Sequence, residues 1–338
     1  MRPEEGSAVG EYVKLLNQKK REWAETLEDR KTVLDHSIKL TYELLIKGLR
    51  SGAYKNIVIL TGAGISVSAG IPDFRSPECG IYSKLKEYNL PQPEDVFTLD
   101  YFKQHPEAFY RFSKEFNKAS GYEATPTHYF IRLLQEKNLL RINMTQNIDN
   151  LEEKAGINAD LFCQAHGSYN AAHCCKCDKI MDLDAFKQHV NEGTIYRCSD
   201  EVCLGPVKPT VVFFGEQLNP DFDIKLPLVH SADLLLVIGT SLAVQPFNLL
   251  PFLVDEQTHS VLINLESTKK ASGGSIHDFE SGDANLFIQG KCDDVIRQII
   301  ADCGWEAEFE KILPEVHKKR GASRQEAEGL GAGKAQDQ

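Results

Sequence analysis

With 42% apolar and 26% charged side chains, a chain of 338 residues can build a sizeable core, which excludes global disorder. Its 38 Lys and Arg against 49 Asp and Glu leave a formal charge of −11, which argues against a broad nucleic-acid footprint but leaves a basic peptide open as partner. No apolar run approaches the ~20 residues of a membrane span, and the N-terminal MRPEEGSAVG lacks the apolar centre of a secretion signal. The expectation is an intracellular protein whose nine cysteines are thiols or metal ligands, not disulfides.

Residues 1–50 read as a charged helical extension, with Leu34, Ile38, Leu45 and Leu49 at helical spacing. Five short apolar runs then read as buried strands: Ile57 to Leu60, Arg141 to Met144, Val211 to Phe214, Leu234 to Ile238, and Val261 to Asn264. Continuous runs of this kind fit a parallel sheet covered on both faces. Helical patterns lie between them, as around Tyr129 to Glu136, and after the last, from Asp293 to Cys303. The alternation predicts an α/β fold with a doubly wound parallel sheet. Residues 77–125, aromatic-rich and helical, and residues 170–208, with five of the nine cysteines, break the rhythm. They read as insertions that form a smaller lobe. After Pro314 large apolar residues almost vanish, so a disordered tail is expected.

Thr61-Gly62-Ala63-Gly64-Ile65-Ser66 follows the first run. Its glycines permit a tight turn and a close approach of backbone N–H groups to a phosphate at a helix N-terminus. Val67 stands where a third dinucleotide glycine belongs, so the turn alone reads equally as a plain strand-to-helix connection. The next stretch, Gly70-Ile71-Pro72-Asp73-Phe74-Arg75, reads as an exposed loop able to cover a nucleotide. Gly239-Thr240-Ser241 and Asn264-Leu265-Glu266 end two other runs. Capping and surface charge would explain them singly. Polar ends on several parallel strands favour a shared ligand crevice.

Gln146-Asn147-Ile148-Asp149 crowds donors and acceptors after the second run, and would also suit a turn. His166-Gly167 follows a short apolar stretch at Leu161 to Cys163. A histidine there is placed to act as a base, since imidazole titrates near neutrality, though alone it would pass for a core or surface residue; His128 and His173 are its nearest competitors. The strongest spacing is Cys174-x-x-Cys177 and Cys198-x4-Cys203. Two such knuckles supply four thiolates to one tetrahedral zinc, a closed structural site. A redox pair would leave the second knuckle unexplained.

Together these motifs, with Phe213-Phe214-Gly215-Glu216, resemble the sirtuins, NAD-dependent protein-lysine deacylases, over residues 30–305, and most of all the eukaryotic cytosolic and nuclear subclass acting on histones and tubulin. The resemblance implies a Rossmann-like NAD-binding domain over residues 51–76, 126–169 and 209–305. It implies a small lobe made of a helical module, 77–125, and a zinc ribbon, 170–208, between the 1–50 extension and a 315–338 tail. It implies removal of acetyl groups from protein lysines, giving nicotinamide and O-acetyl-ADP-ribose, with His166 as general base and Asn147 as the second catalytic residue. Asn147, Gln146, Ile148 and Asp149 would hold the nicotinamide ribose and carboxamide. Ala63, Gly64, Ile65 and Ser66 would meet phosphate. Asp73, Phe74 and Arg75 would form the loop over the cofactor. Gly239, Thr240, Ser241, Asn264, Leu265, Glu266 and Cys292 would line the adenosine side.

Val212 and Phe213 would wall the acyl-lysine tunnel, and Gly215 and Glu216 would pair with the substrate peptide as an added strand. One zinc per chain would sit on Cys174, Cys177, Cys198 and Cys203, although the four-residue spacer is longer than the usual second knuckle. Succinyl-removing relatives pair Tyr with an Arg three residues on. Here Tyr110 is followed by Ser113, which points to acetyl or a longer neutral acyl group. Acetylated proteins are the expected partners, in cytoplasm or nucleus, with no DNA or membrane binding. The same residues leave open mono-ADP-ribosyl transfer and an inactive NAD-sensing scaffold. The nucleotide fold alone would also allow a dehydrogenase.

Overall fold

The computed structural model describes residues 14–15, 18–23, 39–73, 80–81, 85–88, 90–118, 121–268, 277–314 and 317. Leu34, Ile38, Cys79 and most of the expected extension and tail lie outside them.

Six strands pair in parallel in the order β3-β2-β1-β7-β8-β9. They are β1 (Ile57–Thr61), β2 (Leu140–Thr145), β3 (Phe162–Gln164), β7 (Leu234–Ile238), β8 (His259–Asn264) and β9 (Asn285–Gln289). Three short antiparallel strands form a second sheet in the order β5-β4-β6: β4 (Ala172–Cys174), β5 (Ile180–Met181) and β6 (Val207–Pro209). The helices used below are α1 (Tyr42–Ser51), α2 (Leu99–Gln104), α3 (Pro106–Lys118), α4 (Pro126–Glu136), α5 (Leu151–Lys154), α6 (Leu183–Glu192), α7 (Pro220–His230), α8 (Cys292–Cys303) and α9 (Glu306–Ile312).

Side-chain alternation explains the two covered faces. Ile57, Ile59, Leu234, Leu236, Val261 and Ile263 point to one core, where they meet Leu45 of α1, Phe130 of α4, Ile296 of α8 and Phe309 of α9. Val58, Leu60, Leu235, Val237 and Leu262 point to the other, under Phe222 and Leu226 of α7 and Phe247. Every residue of β1 and β7 is therefore buried, which is why both read as unbroken apolar runs. A third core joins α2, α3 and α6 to the small sheet through Phe102, Phe109, Phe186 and Phe213.

Strand order reverses between β1 and β7. That switch point opens a crevice at the carboxyl ends of the two strands, where open α/β sheets bind ligands.

Two sequence expectations change. Val211 to Phe214 is not a strand of the parallel sheet. β6 ends at Pro209, and the following backbone bonds to loops instead: Val212 N–H to His166 O (2.9 Å), Phe214 N–H to Phe97 O (2.8 Å) and Leu99 N–H to Phe214 O (3.0 Å). Burial of Val211 and Phe213 in the third core, not sheet pairing, accounts for the buried part of this run, while Phe214 is exposed. The edge strand β9 does not announce itself in the sequence, because its apolar run, Leu286 to Ile288, is only three residues long and half-buried.

Candidate active site

At the switch point the glycine-rich turn meets β7 backbone to backbone. Gly64 N–H donates to Gly239 O at 2.8 Å, and a Cβ on Gly64 would lie 2.6 Å from Gly239 Cα. Gly239 has φ +64°, so both positions call for glycine. No α-helix starts here. Ala63–Ile65 and Val67–Ala69 are single 3-10 turns, and the N–H groups of Ile65 and Ser66 are spent inside the turn. The glycines bring two strand ends together, a different task from opening a helix N-terminus.

The loop after β2 is fixed against this turn. Asn147 Nδ2 donates to Gly62 O (3.1 Å) and Ser66 Oγ (3.2 Å), and Ser66 Oγ donates to Asp149 Oδ2 (2.7 Å). Gln146 Oε1 accepts from Thr240 Oγ1 at 2.6 Å, and Asn264 Nδ2 donates to Thr240 O at 3.4 Å, so the ends of β2, β7 and β8 form one chain of bonds. Ala63, Ser66, Asn147, Ile148 and Asp149 line a cleft with Ile71, Pro72, Ile81, Phe112 and Phe116. The last three were not foreseen: aromatic and aliphatic residues of the inserted module carry no local signal that they reach this cleft.

His166 Nδ1 lies 3.1 Å from Gln146 O. A carbonyl only accepts, so Nδ1 carries the hydrogen and Nε2 keeps the lone pair. Nε2 is buried with no hydrogen-bond partner. Burial holds the imidazole pKa down at about 4, so the ring is neutral near pH 7, against the opposing pull of the Gln146 bond. The neighbouring Gly167 has φ +71°, and a Cβ there would fall 1.9 Å from Thr210 O. This close approach clamps the histidine between the lobes.

The remaining expected residues fall as follows. Asp73 is half-buried, and its carbonyl accepts from Ile81 N at 2.7 Å; Phe74 and Arg75 lie outside the described residues. Ser241 is half-buried at the end of β7, while Leu265 and Glu266 are exposed at the end of β8. Cys292 opens α8 and packs in the same core as Ile65, where burial pushes its thiol up to about 12. Phe213 is 2% exposed and packs edge-on against Phe109 at 4.9 Å and Phe102 at 5.4 Å, next to half-buried Val212. Gly215 is exposed. Glu216 turns its carboxylate inward, accepting from Phe213 N (2.6 Å) and from buried Lys208 Nζ (2.9 Å).

The four cysteines converge, their sulfurs all within 4.8 Å of one another. Cys174 and Cys203 are 3.5 Å apart, and Cys177 and Cys198 3.7 Å. A disulfide would need about 2.05 Å. A zinc tetrahedron with ~2.3 Å bonds has edges of about 3.8 Å. The donor set therefore fits a structural zinc. The longer second spacer closes on Asp200, whose Oδ1 accepts from Val202 N (2.9 Å) and Cys203 N (3.2 Å). Cys175, beside the first ligand, stays outside the cluster.

The Sir2 family profile matches residues 62–246. "NAD-dependent deacetylase sir2A" of Dictyostelium discoideum is 42% identical over 309 residues, which span 90% of this chain but 59% of that protein. "NAD-dependent protein deacetylase sirtuin-2" of Danio rerio is 39% identical over 82% of this chain and 76% of its own length. "NAD-dependent protein deacetylase hst2" of Schizosaccharomyces pombe is 40% identical over 78% of this chain and 77% of its own.

Proposed function

The chain belongs to the Sir2 family of NAD-dependent protein deacetylases, and from that premise we propose that it removes acetyl groups from lysines of proteins such as histones or tubulin, with His166 as general base. The observation that carries the base is the buried Nε2 lone pair of His166, free of any partner and held by the Nδ1–H to Gln146 O bond. Such an atom takes a proton without first giving one up. NAD, when bound, would supply the electrophilic ribose carbon and, with loss of nicotinamide, an ADP-ribosyl acceptor for the acyl group.

The residues of this chain hold and orient. Asn147 spends both Nδ2 hydrogens on Gly62 and Ser66, which leaves Oδ1 to offer to a ligand. Asp149 and Ser66 fix the same wall. Thr240, bonded to Gln146 through its hydroxyl and to Asn264 through its carbonyl, would set the adenosine side at the ends of β7 and β8. The aromatic third core excludes water beside Phe213. We retain the division into a nucleotide-binding lobe and a small lobe of helical module and ribbon.

A neutral acyl group is favoured because Tyr110 gives its hydroxyl to Val207 O at 2.7 Å, and Ser113 is fully buried against Tyr169. Neither is left to pair a carboxylate. The acidity of the chain suits lysine-rich basic segments as substrates. Among the described residues no helix is long and apolar enough to cross a membrane. The reading places the enzyme in the cytoplasm or nucleus.

The test is turnover of an acetyl-lysine peptide with labelled NAD. Label recovered as O-acetyl-ADP-ribose supports the reading. Label left on protein would replace deacetylation by ADP-ribosyl transfer, and succinyl-lysine turned over as fast as acetyl-lysine would sink the acyl preference.

A further inference from the structure

Behind Asp149 lie two titratable side chains with no part in the chemistry above: His128 at the start of α4 and Glu152 in α5, each 0% exposed. His128 Nδ1 accepts from the Thr125 backbone N–H at 3.2 Å, closing the N-cap of α4, and Thr125 Oγ1 in turn donates to Ile65 O (2.8 Å) in the glycine-rich turn. Thr125 Oγ1 also lies 2.8 Å from the same Nδ1. His128 Nε2 and both carboxylate oxygens of Glu152 are buried without a hydrogen-bond partner. One ligand atom from each of His128, Asp149 and Glu152 lies within 4.8 Å of the others. Asp149 is the outward member, with Oδ2 on Ser66 Oγ (2.7 Å) and Oδ1 on Leu151 N (3.1 Å).

Two buried carboxylates this close cannot both stay ionised without strong repulsion. We propose that His128 and Glu152 are positioning residues for this site: Glu152 keeps its proton so that Asp149 alone carries charge, the buried His128 ring closes the pocket behind the two carboxyls, and Asp149 is thereby kept aimed at Ser66 and Asn147. Burial, and next the charge of Asp149, raise Glu152 to about 8, so it is the protonated partner at neutral pH. Burial raises Asp149 as well, opposed by Ser66 and by Lys154. Glu153 also faces Glu152, and Asp293 of α8 faces His128, whose imidazole burial holds at about 4. The inference rests on Asp149 facing the cofactor, as proposed above.

Carboxyl 13C NMR titration of the unliganded full chain, with Glu152→Gln giving the signal assignment, tests the pair without NAD. Glu152 should titrate near pH 8, with Asp149 responding over the same range; titration of Glu152 near its ordinary value of about 4.3 overturns the proposal. Calorimetric titration with NAD then tests positioning. Wild-type affinity should fall about tenfold between pH ~7 and ~9 as Glu152 ionises, whereas Glu152→Gln, a neutral isostere with its own donor, should vary little. Parallel falls in both proteins overturn the positioning role. If the wild type binds no NAD at any pH, the proposed function fails while the NMR result still decides the pair. A second metal per chain, lost in Glu152→Gln, would overturn the protonated Glu152 in favour of a metal site.

Discussion

The crevice at the switch point and the four-cysteine ribbon hold their polar groups in opposite ways. In the crevice the scaffold is already rigid: β1 and β7 are buried on both faces, and Gly64 and Gly239 touch backbone to backbone. Hydrogen bonds then only have to aim side chains. In the ribbon the strands are two or three residues long, and such short pairs cannot stand alone in water. There the sulfurs themselves are the scaffold. The contrast teaches that polar residues in one chain can depend on a fold or generate one. His166 and Gly167 lie at the seam, since Val212 N–H bonds to His166 O and Thr210 O packs on Gly167.

The largest effect should come from breaking the ribbon. Cys198→Ala or exhaustive chelation should lose the metal and open residues 170–208 to protease while the parallel sheet persists; structural zinc is worth on the order of 10 kcal/mol in small domains. Cys175→Ser should keep one zinc per chain by metal analysis. A metal-free, protease-resistant Cys198→Ala protein would erase the distinction between the regions.

Next, His166→Ala should reduce deacetylation about 10²–10⁴-fold, with a melting temperature close to that of the wild type, because aiming and folding are separate in the crevice. Near-normal turnover would refute the base.

Lys208→Met sharpens the boundary between the regions. It strands the Glu216 carboxylate beside Phe213 and should cost about 3–5 kcal/mol in denaturant unfolding, whereas Lys208→Met with Glu216→Gln should recover most of that. Gly64→Ala pushes a methyl into Gly239 and should cost about 1–3 kcal/mol with weakened NAD binding.

Acid sensitivity of the large lobe is spread over two buried histidines. His128 and His166 titrate at about 4 when folded, against ~6.5 unfolded. Between those values the unfolded chain binds more protons, so their contribution is complete above pH ~6.5 and is lost as pH falls toward 4. Denaturant midpoints at pH ~7 and ~5 should differ in that direction.

Much of the fold can be read from the residues. Ile57 to Leu60 and Leu234 to Ile238 declare strands buried on both faces, because a parallel sheet covered by helices leaves no polar side to show. The cysteine spacing declares a metal knuckle because loop length limits which thiols can meet. Val211 to Phe214 misleads: an apolar run reports burial, and burial in the third core looks the same as burial in a sheet. In the site, the polar motifs announce themselves through residue type. Ile81, Phe112 and Phe116 do not, since their place in the cleft depends on how the inserted module docks. In the sequence His128 reads only as a competitor of His166; nothing local connects it to Glu152.

The sequence alone determined the strand-and-helix alternation, the thiol set and the motifs that end each strand, because these depend on residue type and short spacing. Tertiary structure decided the switch point between β1 and β7, the lone pair on His166 and the proton trapped behind Asp149. Each of these arises from groups distant in the chain competing for the same buried space, where exclusion of water fixes which atom bears a hydrogen and which does not.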